Sequence, residues 1–131
     1  MARRKIEALW KTVGGIPRVM TPEKHDQAVA MTSHLPHFIA HALTQTVLRR
    51  RDRQGLKGLM AGSFRDTTRV ASSDPDQWVQ IFQSNLPALR KAVRAFEIET
   101  ARLRRHLSHR SLRAQLRAST AFRKPLFAQS R

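Results

Sequence analysis

An all-α helical bundle is the fold class this sequence predicts, on three observations. Apolar residues recur at steps of three and four between Ala28 and Val47, and again between Leu86 and Leu107. Helix-start signals, a side-chain oxygen followed by proline, stand at Thr21-Pro22 and Asp74-Pro75. No stretch alternates apolar and polar residues with the period of two that a half-buried strand needs.

The elements follow in order. Residues 3–12 predict a short helix with Ile6, Leu9 and Val13 on one side, closed by Gly14-Gly15. Ile16 to Val19 reads as extended, limited by Pro17. Thr21-Pro22 opens a long helix expected to reach about Arg50, with a kink near Pro36, where the chain loses a backbone donor. Residues 51–63 hold three glycines and few large apolar groups and read as a loop, followed by a short helix over Phe64–Ala71. Asp74-Pro75 opens a helix with Trp78, Ile81 and Phe82 inward, and Asn85 reads as the cap of the next. That helix carries Leu86, Leu89, Val93, Phe96, Thr100, Leu103 and Leu107 as a heptad seam, long enough to pair with a second subunit. Ser111 starts a last helix with Leu112 and Leu116, and a tail follows Pro125.

Composition narrows the function. The 131 residues suit one domain, and the absence of cysteine excludes disulfides and thiolate metal sites. No apolar run approaches transmembrane length, so a soluble, cytoplasmic protein with no membrane partner is expected. A net charge of +16 suits phosphate neutralisation on nucleic acid. Two tryptophans and no tyrosine, however, offer no stacking platform, which disfavours nucleic acid as the partner. An arginine-rich solvated surface with one small anionic ligand is the plainer account.

Four of the six histidines fall between His25 and His41. On a helix His34, His37 and His41 lie within about 60° of one another, with Ser33 one turn before His37. Three readings of this group stand: a metal site, ordinary partly buried histidines, and a pocket for an anion or hydroxyl. No carboxylate lies between Asp26 and Asp52 to back a metal, so none is expected. The anion or hydroxyl pocket is favoured. A second constellation runs from Gly62 to Arg69, where Asp66, three residues before Arg69, could orient its guanidinium for a carboxylate; a plain surface ion pair is the alternative. Dinucleotide fingerprint, P-loop, nucleophile elbow and HExxH are all missing.

Five blocks now stand in order: Ile6 to Gly15, Val19-Met20-Thr21-Pro22-Glu23 with His25-Asp26, Ser33-His34-Leu35-Pro36-His37, Phe64-Arg65-Asp66-Thr67-Thr68-Arg69-Val70-Ala71, and Asp74-Pro75 with Trp78, Ile81 and Asn85. Together they resemble the C-terminal helical domain of the prephenate dehydrogenases, the arogenate enzymes included, over nearly the whole chain. The resemblance implies a remnant of an interdomain helix and crossover in 1–20, a helical substrate-binding and dimerisation domain in 21–124, and a tail in 125–131. It implies a part in NAD(P)-dependent oxidative decarboxylation of prephenate in tyrosine biosynthesis, with NAD or NADP bound only through a missing Rossmann domain that also supplies the catalytic histidine. This chain then carries no catalytic residue and is inactive alone, whether it is an excised domain, a truncated or split gene product, or a stand-alone relative. By the same resemblance Ser33, His34, His37 and Arg69 bind prephenate or tyrosine, Asp66 orients Arg69, and Gly62 and Arg65 support them. A homodimer and a separate nucleotide-binding domain are the implied protein partners. A small basic helical module binding nucleic acid or an acidic protein is the other reading.

Overall fold

Eight α-helices follow one another in the computed structural model, which describes residues 2–107 and 110–126 and holds no strand among them. Helix α1 (Ala2–Thr12) ends at Gly14, whose φ is +80°. The Gly14 N–H donates to the Lys11 carbonyl at 3.1 Å and the Gly15 N–H to the Trp10 carbonyl at 2.8 Å, the paired closure that a left-handed glycine permits. A Cβ on Gly15 would lie 2.9 Å from the Trp10 carbonyl oxygen, so the second glycine is needed for close approach.

Helix α2 (Pro22–Val29) starts as its sequence dictates, with the Thr21 hydroxyl accepting from the Lys24 N–H. The kink expected near Pro36 takes the form of a π turn over Ala30–His34, after which α3 (Leu35–Leu48) continues. The Leu35 N–H reaches back five residues to the Ala30 carbonyl. Proline lacks a donor and its ring crowds the carbonyl four residues earlier. A widened turn just before Pro36 relieves both.

The stretch expected as a loop over 51–63 is partly helical. It holds α4 (Arg53–Leu56) and a 3₁₀ turn, Lys57–Leu59, behind a two-bond Arg50–Asp52 pair at 2.8 and 2.7 Å. Helix α5 (Gly62–Thr68) leads into a second 3₁₀ turn, Arg69–Ser72. The Asp74 carboxylate caps α6 (Pro75–Ser84), accepting from the Asp76 and Gln77 N–H groups. Helix α7 (Leu86–Arg105) follows directly, and α8 (Ser111–Leu126) begins with the Ser111 hydroxyl 2.8 Å from His106 Nδ1. Helix α8 runs through Pro125. The expected tail therefore begins inside a helix, and its remainder lies outside the described residues.

The core sits where α2, the π turn, α3 and α7 meet. Ala30, Leu35 and Ala92 are buried there, with Ile39, Ala88 and Val93 packed against them. Alanines at the crossing bring the backbones close, which leaves a thin core with no large side chain fully buried among the described residues. The heptad seam of α7 packs within the chain only in its first half. Leu89 is buried, whereas Leu103 is 37% and Leu107 68% exposed. Among the described residues no helix is long and apolar enough to cross a membrane.

Candidate functional site

The π turn carries the histidine block onto α6. Widening the helix by one residue places His34 at its end, buried, and His37 half-buried on the first turn of α3. The His37 ring lies flat on Trp78, centroids 3.4 Å apart and planes 19° from parallel. His34 packs edge-to-face with Trp78 and with Phe82, each at 6.4 Å between ring centres, and Trp78 contacts Phe82 at 5.5 Å.

Hydrogen bonds define the chemistry of the two imidazoles. His37 Nδ1 is 3.0 Å from the Ser33 carbonyl oxygen. A carbonyl only accepts, so Nδ1 carries the proton, and Nε2 of the neutral ring is left as an acceptor. His34 holds its pKa below the ordinary imidazole value, chiefly because burial disfavours the charged ring and next because His37 is close, with Asp26 acting in the opposite sense. His25 and Asp26, 3.1 Å apart through Nδ1 and Oδ1, form an exposed pair on α2. His41 is half-buried further along α3. Among the described residues no three His, Asp or Glu side chains group as a metal would require.

The structure thus brings His34 and His37 together on Trp78, and Ser33 joins them through its backbone carbonyl. It treats the Gly62–Arg69 group differently from expectation. Asp66 pairs with its neighbour Arg65, Nε to Oδ1 at 3.2 Å, and both side chains are largely exposed. The Asp66 carboxylate is taken by the adjacent Arg65, and Arg69 begins the 3₁₀ turn that follows α5. Arg69 lies on a turn packed against α3, and its guanidinium has no acidic partner among the described residues. Gly62 opens α5, where an added Cβ would meet only the end of Arg65 at 4.0 Å, so nothing steric demands glycine.

Sequence reasoning gave Trp78 and Phe82 to the interior and Asn85 to a cap. All three belong to the histidine site. Asn85 occupies the N-cap position of α7, but its side chain makes no cap bond there. It is buried, and its Nδ2 donates to the Asp26 carbonyl at 2.8 Å and sits 3.5 Å from His34 Nδ1. The periodicity Trp78, Phe82, Asn85 along one helix face was the available signal.

Residues 21–119, containing every member of this site, match the family described as prephenate dehydrogenase, dimerization domain. The chain belongs to that family. Cyclohexadienyl dehydrogenase of Zymomonas mobilis is 41% identical over 97 residues, covering 72% of this chain and 33% of that protein. Prephenate dehydrogenase of Bacillus subtilis is 40% identical over 67 residues, covering 50% of this chain and 18% of that protein. Among solved structures, Synechocystis arogenate dehydrogenase superposes with a TM-score of 0.87 at 26% identity, over 95% of this chain and 47% of that one. Prephenate dehydrogenase from Aquifex aeolicus, in complex with hydroxyphenyl propionate and NAD+, superposes with a TM-score of 0.85 at 31% identity, over 94% of this chain and 44% of that one. This family member therefore spans less than half the length of these relatives and accounts for their helical dimerisation region.

Proposed function

We propose that this chain is the substrate-binding and dimerisation part of a prephenate or arogenate dehydrogenase, working in cytoplasmic tyrosine biosynthesis as a homodimer. The observation that supports it best is the His34–His37–Trp78 constellation, built on a π turn within the matched family region. His37 keeps Nε2 available as an acceptor for a substrate hydroxyl, because Nδ1 is committed to Ser33. Trp78 holds that ring in place and adds an apolar wall suited to a six-membered carbon ring. Arg69, without an acidic partner of its own, supplies a fork for a carboxylate.

The residues of this chain do not fit a nicotinamide dinucleotide. Gly14 and Gly15 are consumed in closing α1, and no strand stands among the described residues to build a phosphate-cradling βαβ turn. NAD or NADP would then be held by a nucleotide-binding domain, and this chain's share of the work is to bind and orient the substrate.

Hydroxyphenyl propionate, the ligand of the Aquifex relative, tests the site directly. Titrated into the labelled chain, it should perturb the His37, Trp78 and Arg69 resonances. Arg69→Ala should weaken binding by about 10- to 150-fold, the loss of one charged hydrogen-bonded pair, with lysine rescuing only in part. Arg65→Ala, already tied to Asp66 in solvent, should cost much less. Equal losses at Arg65 and Arg69, or no perturbation at His37, would reduce the site to diffuse electrostatics.

A further inference from the structure

The corner between α6 and α7 holds a buried amide that neither helix needs. Asn85 is 8% exposed, caps nothing through its side chain, and reaches 59 residues back along the sequence to α2. Its 2.8 Å bond to the Asp26 carbonyl fixes which end of the amide faces that way, because only the NH₂ end can donate to a carbonyl. The NH₂ group carries two hydrogens. One serves Asp26. His34 Nδ1, at 3.5 Å, is the acceptor placed for the other. That distance is at the long limit for a hydrogen bond, so its consequence lies in which nitrogen of His34 stays unprotonated more than in binding strength.

We infer that Asn85 is a positioning residue that holds His34 as its neutral Nε2–H tautomer. The two imidazoles of the site are then fixed in opposite senses. His37, donating through Nδ1 to Ser33, presents a bare Nε2, whereas His34, accepting at Nδ1 from Asn85, presents an Nε2–H. A pair with one ring acceptor and one ring donor recognises a hydroxyl better than a carboxylate, since a hydroxyl both gives and receives. That last step rests on the substrate-site reading; the tautomer does not.

The surroundings of His34 are consistent with a ring kept neutral. Trp78 and Phe82 on α6 pack edge-to-face against it and carry no charge. The titratable groups around it are His37 on α3 and His25 and Asp26 on α2. Burial and the two histidines disfavour a charge on His34, and Asp26 alone favours one. A ring that stays neutral has a tautomer to choose, and a fixed amide makes the choice.

Nitrogen-15 spectra of histidine-labelled full-length chain test this without any ligand. In the wild type, His34 should show a bare, pyridine-type Nδ1 and a protonated, pyrrole-type Nε2 above its titration midpoint, the reverse of His37. A pyrrole-type Nδ1 at His34, or an even mixture of the two forms, overturns the inference. Asn85→Asp keeps the shape but replaces the donor with an acceptor. It should move the proton to Nδ1 and raise the His34 midpoint by about one pH unit or more. Asn85→Ala should leave both tautomers populated, and an unchanged tautomer in either variant also overturns the role. Should Asn85→Asp fail to fold, the wild-type spectrum still decides. Correct tautomers with no hydroxyphenyl propionate effect at His34 or His37 would remove the ligand reading and leave Asn85 in place.

Discussion

At the scale of single residues, proton occupancy is what distinguishes the histidine site from ordinary packing. His34 is pushed below the usual imidazole pKa, first by burial and then by His37. The unfolded chain, with its histidine near 6.5, therefore takes up a proton before the folded chain does as pH falls. Stability contributed by the neutral ring is complete above that value and is lost as pH drops through it, levelling off once the folded ring also charges. Urea unfolding should show a lower midpoint at pH 5 than at pH 7.5, and His34→Gln should shrink the difference. A difference unaltered by that substitution would trace the pH effect to other groups.

Among the elements, helix beginnings are where local chemistry decides most. Asp74→Ala removes the acceptor for the Asp76 and Gln77 N–H groups and should cost about 0.5–2 kcal/mol in urea unfolding, with Asp74→Ser recovering most of it. Full stability in the alanine variant would show that α6 is held by packing alone. Thr21-Pro22 and Asp74-Pro75 were legible in the sequence because cap and helix lie within three residues of each other. Helices α1, α6 and α7 were legible for the same local reasons. Asn85 holds the N-cap position that the sequence predicts, but its side-chain role was not legible because its partners, Asp26 and His34, come from the far side of the fold. The Asp66–Arg69 pairing failed because the adjacent Arg65 takes the Asp66 carboxylate, which periodicity alone does not reveal. Ser33, His34 and His37 could be picked out by composition, but the tryptophan against His34 and His37 emerges only when α6 docks.

For the whole molecule the decisive quantity is apolar surface left uncovered. Phe96 and Leu103 on α7 continue through Leu107, just past its end, into Leu116 and Phe122 on α8, all between 37% and 73% exposed. Two-fold pairing of this face would bury it, which fits a dimerisation-domain family. Each copy carries +16, so association must work against like-charge repulsion that acts over about 10 Å at 0.1 M salt. Sedimentation equilibrium should therefore show a dimer that tightens as salt rises from low to moderate concentration. A 15.0 kDa species at every salt and micromolar concentration would rule the pairing out.

A π turn is an α-helix containing one residue more than its ladder can use. Deleting a single residue between Ala30 and Ser33 would let the backbone return to regular pitch, and would turn all that precedes it by about 100° about the helix axis. The Asp26 carbonyl would swing away from Asn85, and the thin alanine seam against α7 would lose its register. The shortest route to a smoother helix is thus also a route to a ruined site. Chain length across these five residues is a heritable property in its own right, as binding on the site as the identity of its histidines.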